Sequence, residues 1–225
     1  MNLIDIFLDP AKVFAQQKER PSPWLPMLVL ALVSAALFLT YFNRVDAEWL
    51  NGQMMAQMSQ DMTAAQLEQV KSTMPGAKAI GYISAASAAV MIPVVLLIMG
   101  VYYLLAGKVL GRNLGFMHGW ALGAWGGFPA VLGMLVGFVG ALTMAPQTAQ
   151  ESLMLTHIDP LFVQLPRDHA LSGFAKGFDL LSIWGIGLTA LGWKVMTGSR
   201  WGEAIAVAII PSIVIYGVWL IVALT

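Results

Sequence analysis

The chain has no cysteine, which excludes disulfides, cysteine-held metals and thiol nucleophiles while leaving the compartment open. Charge is scarce and balanced. Its 12 basic and 12 acidic residues among 225 cancel, so no basic excess calls for nucleic acid. Histidine is rare as well: His118, His157 and His169 lie far apart, and none sits in the His-Glu-x-x-His spacing that puts two imidazoles on one helix face for zinc. Ser172, with His169 three residues before it, is weakly similar to a membrane serine protease. No Gly-x precedes that serine, however, and both residues share one loop instead of facing helices. His157 and His169 therefore read as solvated loop residues, and His118 as an interfacial side chain. No catalytic, cofactor-binding or metal-ligating residue is assigned, and the chain reads as a non-enzyme. No secretory signal is expected, because Asp5 and Asp9 break up the start and the first long apolar run begins near Trp24.

What is abundant is apolar. Hydrophobic residues make up 58% of the chain and the mean hydropathy is +0.74, far from a water-soluble domain. The longest such stretch, residues 116–145, carries no formal charge apart from a protonatable His118, and at about 1.5 Å per residue it exceeds a bilayer's hydrocarbon core. Seven glycines interrupt it. In an aqueous helix each costs roughly 1 kcal/mol against alanine, so close backbone contact has to offset the loss. Gly119, Gly123 and Gly127 recur every four residues on one face, the small-residue spacing that lets lipid-buried helices touch. Pro129, just after Gly126 and Gly127, frees a carbonyl and kinks the segment. This is the expected central packing helix.

The remaining organisation follows in chain order. Residues 1–23 form a cytoplasmic, interfacial amphipathic segment: Leu3, Ile4, Ile6, Phe7, Leu8, Val13 and Phe14 are apolar, Lys12, Lys18 and Arg20 face water, and Asp9-Pro10 offers a cap and a first helical proline. A soluble docking helix is the alternative. Residues 24–225 form one transmembrane domain with spans near 24–42, 80–107, 116–145, 178–193 and 204–225. The first long loop, 43–79, has helical signals of its own, with Asp46 as a cap and Thr63 with Gln66 as a capping box. Met54, Met55, Met58 and Met62 there read as an amphipathic packing face, although clustered thioethers are also soft ligands for Cu(I). The second long loop, 147–176, contains Pro160 and Pro166 and cannot be one helix. Basic residues crowd the amino-terminal arm and the two tight turns (Lys108, Arg112, Lys194, Arg200) and are diluted in the long loops. The positive-inside rule then places the N-terminus in the cytoplasm and the C-terminus outside an inner (plasma) membrane.

Three motifs in this order carry a family resemblance. DPAKVFAQQKERPSPWLPML resembles the entry segment of bacterial Yip1-domain proteins, GWALGAWGGFPAVLG is similar to the Gly-Phe/Leu-Pro centre of their third helix, and FDLLSIWGIGLTALGWKVMTGSRWGEAIAVAIIP resembles their fourth helix, turn and fifth helix. The likeness covers nearly the whole chain and implies a five-helix integral membrane protein with a cytoplasmic N-terminus. Eukaryotic relatives act in vesicle traffic and contact Rab GTPases. This chain has only about twenty residues where they have a long polar arm, which argues against Rab-type GTPase contact.

The expectation is therefore an all-α, polytopic bundle of five transmembrane helices with a short amino-terminal amphipathic helix and helical segments in the first long loop. Its job is non-catalytic, organising membrane or protein partners; the rival is a small transporter or lipid-handling protein using proline-broken helices. Packing or hinge roles fall to Gly119, Gly123, Gly127, Pro93, Pro129 and Pro211. Asp179 and Lys176 are the candidates for contact with a partner, lipid or solute, since Asp179 sits at a helix start where the dipole favours a carboxylate. Partners are the lipid bilayer, other membrane proteins or further copies of the chain. No cofactor and no nucleic acid are expected.

Overall fold

The computed structural model describes residues 3–58, 62–166 and 169–224, and among these the regular structure is helical apart from one isolated antiparallel bridge, His157 to Asp179. The amino-terminal arm is α1 (Asp5–Leu8) and α2 (Pro10–Glu19). Next come α3 (Trp24–Arg44), α4 (Ala47–Met58), α5 (Ala64–Thr73) and α6 (Ala77–Val109). The glycine-rich segment is α7 (Phe116–Gly126) followed by α8 (Ala130–Thr143); after the short α9 (Ile158–Leu161) and α10 (Ser172–Gly177) the chain ends with α11 (Leu181–Thr197) and α12 (Trp201–Leu224).

Three sequence signals set helix starts. The Asp9 carboxylate accepts from the Lys12 N–H (3.2 Å) and Asp46 from the Trp49 N–H (2.8 Å). Thr63 and Gln66 exchange both bonds of a capping box. Each satisfies donors that a helix start leaves open. The two tight turns, after α6 and after α11, close on Gly111 and Gly198 with φ of +66° and +70°, a conformation that disfavours any side chain with a Cβ.

Length and apolarity make α3, α6 and α12 able to cross a membrane, with 21, 33 and 24 residues. At 1.5 Å per residue each reaches about 30 Å or more, the thickness of a hydrocarbon core. α7 and α8 are each too short alone but meet at a 43° bend, and together they make a fourth candidate crossing. The sequence expectation of one kinked helix over 116–145 thus resolves into two helices. α11, with 17 residues, reaches about 26 Å and falls just short of a full core.

α7 is the centre. Gly119 through Gly126 are buried without interruption, and α6, α11, α2 and α3 all pack on it. The core proper holds Trp125, Trp193, Phe14 and Leu122, all essentially inaccessible. By contrast α6 and α12 turn Val90, Ile98, Val101, Ile213, Val214 and Ile221 outward, the face that a hydrocarbon solvent requires. At the end carrying the two long loops, these loops are stitched together by the Asp46 N–H to the Pro146 carbonyl (2.8 Å) and the Tyr41 hydroxyl to the Thr148 carbonyl (3.0 Å).

The apolar side of the amino-terminal arm finds its partner within the protein. Phe14 lies so close to Gly192 that an added Cβ there would be 2.6 Å from the ring, and Phe7 meets Trp184 edge-on with centroids 5.4 Å apart. Those two positions on α11 are separated by about 12 Å, so the arm runs alongside α11 and not across the end of the bundle.

Candidate functional site

The bend in the third segment shows what the glycines do. A Cβ built on Gly119 would stand 2.7 Å from the Gly100 carbonyl oxygen and 3.1 Å from Tyr103 Cβ. Here α6 and α7 touch backbone to backbone. Gly123 is looser, with Met99 Cβ at 3.3 Å, and Gly127 meets only its own helix at the Gly123 carbonyl (3.1 Å). The tightest glycine of the segment is Gly126, where a Cβ would be 2.1 Å from Thr189 Oγ1 and 3.1 Å from Thr189 Cβ. The four-residue stripe did not mark Gly126; only its contact with α11 singles it out.

The break itself keeps its polar groups occupied. The N–H groups of Gly127, Phe128, Ala130, Val131 and Leu132 all donate to main-chain carbonyls three or four residues back, at 3.0–3.3 Å. A helix break that binds a solute at the membrane midplane leaves such groups facing a cavity. Pro129 stands at this break as the cap of α8, buried. Pro93 and Pro211 lie inside the continuous helices α6 and α12.

Proline leaves a carbonyl four residues earlier without a donor, and a membrane supplies no water to replace it. For Pro211 that carbonyl belongs to Val207, and the Tyr102 hydroxyl of α6 donates to it at 2.8 Å. At the entry to α3 the Ser22 carbonyl, which lies before the helix cap Pro23, accepts from the Trp125 indole N–H at 3.0 Å. Tyr102→Phe should therefore cost about 0.6 kcal/mol and at most about 1.7 kcal/mol, the range of hydrogen bonds between membrane helices. In a Pro211→Ala background the cost should shrink, because the alanine brings its own N–H to the Val207 carbonyl. An equal cost in both backgrounds, read from detergent melting curves, would disprove the coupling.

A cleft of about 360 Å³ opens beside the bend, between α6, α7, α8, α11 and α12. It collects Gly123, Gly127, Pro211 and Asp179 from the expected set, while Pro93 and Pro129 lie outside its lining. Its walls are mainly apolar, with Ser182, Thr189, Ser212 and Tyr216 interspersed. Asp179 stands at the loop end. Its Oδ1 accepts from the Leu181 N–H at 2.9 Å, and its Oδ2 is 4.0 Å from His157 Nε2. His157 Nδ1 bonds the Lys176 carbonyl. A carbonyl only accepts, so Nδ1 carries a proton. His157 is therefore a half-buried partner of Asp179 and not a solvated loop residue, whereas His169 is exposed. Lys176 joins this cluster through its carbonyl alone; the residue lines a separate pocket of about 410 Å³ with Tyr41, Trp49, Met54 and Glu151. Asp179 and Lys176 thus do not converge on one cavity.

At the opposite end, Arg112 in the turn after α6 forms a two-pronged ion pair with Glu203 of α12, its Nε donating to Oε1 at 2.9 Å. Trp193 Nε1–H donates to the same oxygen at 3.1 Å, and Lys194 stands 5.1 Å over the Trp201 ring. The carboxylate bonded to Arg112 raises its pKa above the ordinary arginine value. Glu203 carries no mark in the sequence because its partner is 91 residues away; the one acid in a basic turn was the available signal. Among the described residues no group of three or more histidine, aspartate or glutamate side chains is placed to hold a metal. Of the four methionines, Met54, Met55 and Met58 share α4, and Met62 lies beyond its end.

An all-helical chain with several apolar helices long enough to cross a bilayer, packed through glycine and with its few charges at the ends, is an integral membrane protein. The Yip1 domain model matches residues 4–222, so the chain belongs to the Yip1 family, a non-catalytic membrane family. No curated protein and no solved structure matches it.

Proposed function

We propose that this protein organises membrane or protein partners without catalysis, crossing an inner membrane five times with its N-terminus in the cytoplasm. Residues 1–23 act as the cytoplasmic-side arm and residues 24–225 as the membrane domain. The observation that carries this reading is the bend at Gly126–Pro129: its N–H groups are engaged by main-chain acceptors, so it shapes the bundle and offers nothing to a solute. Supporting it further, the neighbouring cleft is mainly apolar and leaves Pro93 and Pro129 out. The fourth crossing, α11, is short, and Lys194 and Arg200 at its turn end match the basic side defined by Lys108 and Arg112.

The absence of cysteine makes the test direct. Ala130→Cys, at the bend and in the cleft, should resist a membrane-impermeant maleimide from both sides, and reporter fusions to the two ends should report opposite compartments. Labelling of Ala130→Cys from each side in turn would mean alternating aqueous access and would replace the organising role with transport. Reporters on the same side would overturn the five crossings.

A further inference from the structure

Helices α6 and α12 are held together at their turn ends by the Arg112–Glu203 pair and by Tyr102 on the Val207 carbonyl. Farther out α12 is held instead by α10, through Tyr216 and Trp219 against Phe174 and Phe178 with centroids 4.6–6.1 Å apart. Between these two attachments the cleft is walled by Val95, Leu96 and Met99 on one side and by Ala208, Pro211 and Ser212 on the other. Both helices are apolar outward along this stretch. The mouth of the cleft therefore faces hydrocarbon, not water, and what can enter it sideways is a lipid chain.

The loop end of the cleft is polar and incompletely satisfied. Asp179 Oδ1 is taken by the Leu181 N–H. Oδ2 has His157 Nε2 no nearer than 4.0 Å, beyond hydrogen-bond reach. Ser182 Oγ, on the next residue but two and in the cleft lining, is buried with no hydrogen-bond partner, and Thr156 Oγ1 is likewise buried and unpaired. Thr156 Oγ1 and Asp179 Oδ2 both lie against Gly133 of α8, 2.7 and 3.2 Å from where its Cβ would be. A carboxylate oxygen out of hydrogen-bond reach of the imidazole and two unpaired hydroxyls together suit a positively charged donor of several hydrogen bonds.

We propose that the cleft binds a phospholipid whose headgroup ends in a primary ammonium, the acyl chain lying between α6 and α12 and the ammonium on Asp179 with the Ser182 hydroxyl. The charge of Asp179 selects the headgroup; the apolar slot holds the tail. This goes beyond the organising role and stands whether or not that role does, since it requires only that α6 and α12 cross the membrane.

The test uses the full chain in nanodiscs of equal parts phosphatidylethanolamine and phosphatidylglycerol with matched acyl chains, the retained lipid being counted by native mass spectrometry. The native protein should retain the ethanolamine lipid about tenfold over the glycerol lipid, as a charge-assisted hydrogen bond allows. Asp179→Asn still accepts from Leu181 and should abolish the preference while keeping total lipid. Ser212→Trp should fill the slot and lose both lipids. No preference in the native protein, a preference that survives Asp179→Asn, or full retention in Ser212→Trp would each overturn the proposal. If Asp179→Asn does not fold, the native protein's choice between the two headgroups decides alone.

Discussion

Gly119→Leu should yield no folded, monodisperse protein in mild detergent. The obstacle at Gly119 is the Gly100 carbonyl, 2.7 Å from where a Cβ would stand, with the Leu104 amide nitrogen at 3.4 Å; neither can rotate away as a side-chain tip could. α6 and α7 must separate. Overpacking of a core costs about 1–3 kcal/mol and occasionally more, and a backbone obstacle puts this site at the upper end, at about 3 kcal/mol or above. Gly123→Ala sets the contrast. Its obstacle, Met99 Cβ, stands at 3.3 Å, and the roughly 1 kcal/mol of helix propensity gained over glycine offsets the small shift. Gly127→Ala should be the mildest, since it meets only its own helix. Size-exclusion profiles and melting temperatures of the three variants check the order. Equal damage at all three positions would mean that the stripe acts as a generic property of the helix and not through the contact with Gly100.

Trp125→Ala should cost about 3–5 kcal/mol, the range for removing a fully buried tryptophan. This ring is inaccessible and packs beside Phe128, with centroids 6.2 Å apart, while its N–H closes the Ser22 carbonyl at the entry to α3. Trp125→Phe keeps most of the volume and loses the donor, so it should cost about 0.6 kcal/mol and no more than about 1.7 kcal/mol. Because Ser22 joins the amino-terminal arm to α3, the alanine variant should also open the Lys18–Glu19 bond, helical in the native protein, to trypsin before the rest of the chain unfolds. A phenylalanine variant as damaged as the alanine one would show that the hydrogen bond, and not the packing, holds this junction.

The sequence revealed whatever short-range chemistry controls. Asp9, Asp46 and Thr63 with Gln66 were recognisable as caps because capping acts over three residues. The third segment's central position followed from its glycines, since only close contact can compensate for so many. The pairing of elements was another matter. Nothing local indicates that the arm lies along α11, because an amphipathic helix presents the same pattern to lipid headgroups as to a neighbouring helix. Gly126 was visible as a glycine, but its contact with Thr189 depends on how α11 crosses α7. His157 looked like a loop residue because its loop is polar; the bridge that brings it to Asp179 spans 22 positions and has no periodic signature. Lys176 was paired with Asp179 by nearness in sequence, and the turn between α10 and α11 points the two residues into different cavities.

The two attachments of α12 have a mechanical consequence. A helix fastened at one end swings like a door, whereas one fastened at both ends can only bow. Any widening of the space beside α6 must therefore arch α12 between Glu203 and Trp219, and Pro211, which lacks the N–H that would stiffen that point, falls inside this stretch. Compliance is concentrated at one residue, and the ends of the span stay in register while its middle yields.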